Sequence, residues 1–250
     1  MIREWIAAVL FLTFGSWLPA QTTAQPSASV PASRLAHLRR GINLSEWFAQ
    51  VWDPKGYTKE HFQNWTTSAD IALIRSAGFD HVRLSVNPQP MFTVNRPEAI
   101  PQEYLAYLDA AVKMILDQGL SIVIDLHPED DFKVRLKDDI FVQQLADFWR
   151  ALARHYANLD SERLFFEILN EPEVADPYRS YGMQAKLAAA IREGAPQHTI
   201  IGAGSRYSDA DQSSFSSRCA IRMSFTTFTF TTRISSRIRE RRGVRTTGTG

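Results

Sequence analysis

A parallel α/β fold is predicted by three observations. Apolar runs with strand character recur at Gly41–Leu44, His81–Val86, Leu120–Leu126, Leu164–Leu169 and Thr199–Ala203. Segments with helical period lie between them, and this β-α alternation calls for a parallel sheet with crossover helices. Polar residues gather at the ends of the runs: Asn43, Asn87, His127, Asn170 and Glu171. A dinucleotide-binding sheet would carry a glycine-rich turn after its first strand, and Asn43–Trp47 has none. Gly202-Ala203-Gly204 is a weak glycine pair on the wrong element. Polar groups at several strand tips suit a (β/α)8 TIM barrel instead, with the first five βα units in this chain.

The elements between the strands follow from periodicity and their stop signals. Ile71–Gly78 ends in a glycine suited to a left-handed cap. Tyr104–Gly119 places Leu105, Leu108, Val112 and Ile115 on one face and stops at Gly119. Asp139–Tyr156 aligns Phe141, Leu145, Phe148, Leu152 and Tyr156. Tyr181–Gly194 is expected to end like the first, with Gly194 as its cap.

The 44% apolar and 22% charged composition is that of an ordinary globular protein. Its net charge of +1 hides a split. Residues 1–211 carry 20 Lys and Arg against 26 Asp and Glu, a net of −6. Residues 212–250 carry 8 Arg and one acid, Glu240, a net of +7. The average charge therefore says nothing about partners. Cys219 is the only cysteine, so neither an internal disulfide nor a cysteine-based metal site is possible. Met1–Ala24 reads as a secretory signal peptide: Arg3 opens it, Ile6–Phe14 is a short apolar core, and Ala20 or Ala24 suits cleavage. A membrane anchor is the alternative reading. A secreted or periplasmic protein is expected, with residues 25–37 as a linker and 38–211 as the barrel segment.

The chemistry concentrates in Arg163–Pro172, RLFFEILNEP. A strand buried on both faces does not end in an amide and a carboxylate without cause. Glu171 is the candidate proton donor, against the bland reading of a surface acid, and the adjacent Asn170 can bind a substrate hydroxyl or cap a turn. His127, between Leu126 and Pro128, stands at the tip of the third strand. Arg83 lies inside the second strand, where a buried cation needs a carboxylate. It either forms a structural pair, with Glu167 as a candidate, or holds a catalytic carboxylate ionised. Glu167 precedes Glu171 by four residues, about 13 Å along a strand, too far for a catalytic pair. Trp47, Phe48, Trp52 and Trp65 follow the first strand and can stack on sugar rings or pack in the core.

GINLSEW, HVRLSV, DLHP and LNEP, in this order over Leu38–Asp211, resemble the cellulase-type glycoside hydrolases of family five. The resemblance implies retaining hydrolysis of a β-linked glucan or mannan with no cofactor. It assigns Glu171 as general acid/base and Asn170 as the contact to the sugar 2-hydroxyl. It assigns His127 to a sugar subsite and Arg83 to support of the nucleophile. Trp47 is added as a substrate-binding aromatic. The family places its nucleophilic glutamate at the end of strand seven and a His-x-Tyr pair at strand six. Neither is found here: the acids after Glu171 are Glu173, Asp176, Glu193, Asp209, Asp211 and Glu240, and none ends a plausible strand. The nucleophile is therefore absent from the sequence as written.

Residues 213–250 lack Leu, Lys, Asp, Asn, Pro, Trp, Tyr and His and are dominated by Arg, Ser and Thr. The genetic code accounts for this. Joining the last base of each codon to the first two of the next turns every Phe-Thr step into His or Tyr, at Phe225, Phe228 and Phe230. With permitted codon choices, Ser216–Arg233 becomes LEPLRDPNVIYNFHFYDP, which resembles the strand-six segment with its His-x-Tyr. A change of reading frame near Gln212 is expected, leaving residues 212–250 out of frame and the chain inactive as written. The expected partner is a polysaccharide or oligosaccharide, with no nucleic acid, no membrane after signal cleavage, and a monomeric state when complete. The rival readings are a carbohydrate-binding pseudoenzyme, a mannanase-like enzyme in full-length form, and a basic-tailed interaction protein.

Overall fold

The structure, a computed structural model, describes residues 30–204. The expected signal peptide and out-of-frame tail lie outside the described residues. Five strands form one parallel sheet: β1 Gly41–Phe48, β2 His81–Val86, β3 Ser121–Leu126, β4 Leu164–Glu167 and β5 Thr199–Ile201. Their spatial order follows chain order, and every neighbouring pair is parallel. A doubly wound sheet would reverse direction at a switch point, whereas sequential order is that of a (β/α)8 barrel.

The expected runs carry the strands, with differences at the ends of four: β3 starts one residue later than its run, β5 stops two residues short of Ala203, and β1 and β4 also differ. β1 continues to Phe48 through a bulge, because its pairing with β2 slips between Leu44 and Phe48 and Glu46 takes φ +62°. β4 ends at Glu167, earlier than its apolar run. Beside the short helices α2 (Lys59–Asn64) and α5 (Asp130–Val134), the longer helices begin with clear signals. In α3 (Ser68–Ser76), Thr67 and Asp70 form a reciprocal capping box. In α6 (Asp139–Tyr156), the Asp138 carboxylate accepts from Ile140 N at 2.8 Å. α7 (Pro177–Gly194) has Pro177 in its first turn behind an Asp176 cap. Gly78 and Gly119 close α3 and α4 (Gln102–Asp117) at φ +88° and +76°.

Gly194 corrects the expectation of a left-handed cap. It remains helical, and a Cβ there would sit 2.5 Å from Arg150 O and 2.9 Å from Arg154 N of α6. Close helix–helix approach demands this glycine. Gly194→Ala is expected to cost about 1–3 kcal/mol through overpacking, read as a lowered thermal midpoint.

Strand alternation sorts the core into two faces. Val82, Leu84, Val86, Ile122, Ile124, Leu126, Leu164, Phe166 and Ile200 join the helices in the main cluster. On the opposite face, Leu38, Val123, Phe165 and Ile201 form a small separate cluster. Trp149 of α6 anchors the outer layer: its indole N–H donates to Ile168 O at 3.0 Å while its ring meets Phe166. Residues 30–37 are not a free linker, which corrects the expected boundary. They form α1 (Ala32–Ala36), and Arg34 donates to Glu162, Ser161, Thr199 and the Gln197 carbonyl beside β4 and β5. A single guanidinium fork bonding both neighbouring loops holds the segment.

His198, just before β5, is 1% exposed. Burial, then the charges of Arg34 and Arg192, push its pKa below the ordinary value. An unfolded histidine titrates near about 6.5, so below that pH the unfolded chain takes a proton that the folded chain refuses. Stability is expected to be complete above this value and to fall as pH drops toward the lowered folded pKa. His81, lowered chiefly by burial, acts with the same sign. Urea unfolding between pH 7 and pH 5 should show the decline, and His198→Gln should shallow it.

Candidate active site

The inner sheet face carries polar side chains where apolar ones would suffice. Ser85, Asp125 and Glu167 share one register row across β2, β3 and β4. Asn43 and Arg83 share the next row toward the strand starts. Arg83 binds this group together. Its Nε donates to Glu167 Oε2 and its Nη2 to Glu167 Oε1, both at 2.7 Å. Its Nη1 donates to Asn43 Oδ1 at 3.0 Å, and Nη2 donates to Asn170 Oδ1 at 3.1 Å. Asp125 Oδ2 lies 2.9 Å from the same Nη2 as an ion pair.

Arg83 therefore pairs with Glu167, as the sequence suggested, and also with Asp125. Although burial works against its charge, the carboxylates of Asp125 and Glu167 hold the guanidinium protonated, and Glu171 adds to their field. Burial pushes the Glu167 carboxyl up, against the lowering pull of Arg83. Asp125 is fully buried, and its Oδ1 has no hydrogen-bond partner among the described residues.

Asp125 was overlooked in the sequence, although a carboxylate inside the apolar run Ile122–Leu126 was the signal that could have found it. It precedes His127 by two residues, and Asp125 Oδ2 meets His127 Nδ1 at 2.8 Å. The His127 Nε2 meets Asn170 Nδ2 at 3.2 Å. Arg83, Asn170, His127 and Asp125 are thus brought into one connected group.

Glu171 follows directly, past the regular end of β4. Backbone bonds from Ile168 N to Ile201 O and from Asn170 N to Leu126 O carry the chain onward between β5 and β3 to this point. Glu171 then turns at φ +43°, in the left-handed region where a non-glycine residue is strained. It is half-buried, and Pro172 behind it is buried. The arrangement puts a carboxyl group at the C-terminal end of the parallel strands, next to an amide whose orientation is fixed.

Trp47 is corrected. It is 2% exposed and packs on Phe48, and its indole N–H donates to Phe62 O at 2.8 Å, so it belongs to the core and presents no face to a sugar. Trp52, 75% exposed, is the open aromatic of the following loop. Asn87 is buried and spends its amide on Tyr57, Gln89 and the Gln89 backbone. A cavity of about 330 Å³ between α6 and α7, lined by Asp139, Asp176, Arg179 and Lys186 among others, shares no residue with the Arg83 group. Among the described residues, no three His, Cys, Asp or Glu side chains are grouped to hold a metal ion.

A family model described as Cellulase (glycosyl hydrolase family 5) matches residues 43–220. The chain belongs to glycosyl hydrolase family 5. Endoglucanase C of Acetivibrio thermocellus is 30% identical over 185 residues, covering 71% of this chain and 53% of that protein. Endoglucanase 3 of Fibrobacter succinogenes is 27% identical, over 72% of this chain and 29% of that protein. This family 5 chain spans about half the length of the first of these relatives. The solved structure of Thermotoga maritima Cel5A with cellobiose superposes with a TM-score of 0.61 at 24% identity, covering 72% of this chain and 56% of that one. The same enzyme with mannotriose gives 0.63 at 22%, covering 80% and 60%. These likenesses agree with the (β/α)8 reading of the five-stranded sheet. Among the described residues, no helix is long and apolar enough to cross a membrane.

Proposed function

We propose that this family 5 chain carries the acid/base half of a retaining endo-β-glycanase acting on a β-linked glucan. The observation that carries the reading is Glu171 at the strand ends, directly after an Asn170 amide held by Arg83 and His127. Glu171 protonates the glycosidic oxygen as the bond to the leaving sugar breaks. A second carboxylate, about 5–5.5 Å away, attacks the anomeric carbon to give a glycosyl-enzyme. Glu171, now ionised, takes a proton from the water that releases the sugar. Asn170 contacts the 2-hydroxyl, and His127 lines the neighbouring subsite.

Arg83 acts on the second carboxylate mainly through its positive charge. Its Nε and Nη2 hydrogens are committed to Glu167 and Asn170, and among the described residues one Nη1 hydrogen remains beyond the bond to Asn43. The second carboxylate is assigned to strands encoded after codon 212 in the alternate frame, and residues 1–24 to export. Endoglucanase names among the relatives support β-glucan, and the mannotriose complex of the Thermotoga enzyme makes mannan the first competitor.

The test is a matched pair of proteins. A polypeptide of these 250 residues alone is expected to release no reducing sugar from soluble β-glucan. The same gene with its frame restored at codon 212 is expected to release it, with the β-configuration retained in the first product seen by proton NMR. Inverted product, or equal activity from both proteins, would overturn the reading. Binding without hydrolysis by the frame-restored protein would point to the carbohydrate-binding pseudoenzyme.

A further inference from the structure

The hydrogen bonds around Asn170 have only one consistent polarity. Arginine donates and cannot accept, so the Asn170 oxygen must be the atom that faces Arg83 Nη2, 3.1 Å away. The amide nitrogen then faces His127 Nε2 at 3.2 Å, and that nitrogen must accept. An imidazole that accepts at Nε2 carries its single hydrogen on Nδ1. That hydrogen points to Asp125 Oδ2, 2.8 Å away.

We propose that Asp125 is a positioning residue that locks His127 as the neutral Nδ1–H tautomer, and through it fixes which atom of Asn170 faces the sugar. This rests on the glycanase reading for its consequence, but not for its geometry. Arg83 anchors both ends of the chain of bonds, donating to Asn170 at one end and ion-pairing with Asp125 at the other. Asp125 is fully buried and so cannot trade this bond for water. Were His127 to carry its hydrogen on Nε2, two donors would face each other across 3.2 Å. Asn170 would then have to turn over, presenting its nitrogen to Arg83 and losing that bond as well. With the tautomer locked, the Asn170 amide keeps one N–H uncommitted among the described residues. It can donate to the sugar hydroxyl while its oxygen stays on Arg83.

The experiment is two-bond proton–nitrogen NMR of the chain labelled with ¹⁵N-histidine at neutral pH, with His127 assigned by its loss in His127→Gln. The expected spectrum shows a pyrrole-type Nδ1 and a pyridine-type Nε2 for His127. A pyrrole-type Nε2, or an imidazolium pattern, would overturn the proposal. Asp125→Asn should shift His127 toward the Nε2–H form. Should that variant fail to fold, Asn170→Ala decides the matter. It leaves Asp125 in place and is expected to keep the Nδ1–H pattern, whereas loss of that pattern would assign the lock to Asn170. None of these spectra depends on hydrolysis, so a failed activity assay leaves this result standing and a wrong tautomer leaves the glycanase reading standing.

Discussion

Arg83→Met is expected to cost about 3–5 kcal/mol of folding stability, measured by urea unfolding of the chain. The size follows from what is left behind rather than from what is removed. Arg83 faces Glu167 through two bonds at 2.7 Å and Asp125 at 2.9 Å. Without it both carboxylates remain on the inner sheet face, Asp125 fully buried and Glu167 nearly so, with no cation in contact. A typical domain has a total stability of about 5–15 kcal/mol, so a loss of this size removes at least a fifth of it and, in a marginal domain, nearly all. Arg83→Lys should fall between, because one ammonium cannot span Glu167, Asn43 and Asn170 as a planar fork does.

The pH dependence of the Arg83→Met protein adds a second check. Burial already pushes Glu167 up. Removing the opposing cation raises it further, so the folded variant takes up a proton that the unfolded chain, with a glutamate pKa near about 4.3, does not hold. The variant's stability should therefore fall as pH rises from acid through the folded value, and its deficit against the parent should be smaller at low pH. A deficit below about 1 kcal/mol at neutral pH would mean that this cluster behaves as a surface ion pair, and the inner-face packing described above would be wrong.

The strands were legible because both faces of a parallel sheet are covered, which makes each strand a short apolar run with turn signals around it. The same property hid the two faces from each other. Val123 and Ile124 read alike in the sequence, yet one belongs to the inner cluster and the other to the helix-facing core. Polar residues within the runs were the signal that separates the faces, and Arg83 and Glu167 were read that way. Asp125 carries the same signal inside Ile122–Leu126, two residues before His127.

Trp47 failed for a related reason. Aromatic residues after a strand suit sugar stacking and core packing equally, and the bulge that turns β1 decides between them. Periodicity carries no trace of a bulge. Gly194 was read as a cap from its place at a helix end, but its cause is the Arg150 carbonyl on another helix 44 residues earlier. Contacts across such separations follow from packing and not from local sequence.

Glu171→Gln in the frame-restored protein is expected to lower kcat/KM on β-glucan by about 10²–10⁴-fold, the range a positioned general acid supplies. Glutamine keeps the shape and the bonding reach but has no proton to give. The loss should shrink sharply for the first step on an aryl glycoside with a dinitrophenyl leaving group, which departs without protonation. Release of the sugar would still lack its base, so the glycosyl-enzyme should accumulate and the phenol should appear as a burst. Equal losses on both substrates would remove Glu171 from the acid role.

The backbone supplies an independent control. At φ +43°, a non-glycine residue carries strain of order 1–3 kcal/mol, and glycine relieves it. Glu171→Gly is therefore expected to abolish turnover of β-glucan while holding or raising the thermal midpoint. A residue kept for packing would do the opposite, losing stability on replacement. Loss of activity together with retained or improved stability would mean that the strained turn is maintained for the chemistry of its carboxyl group.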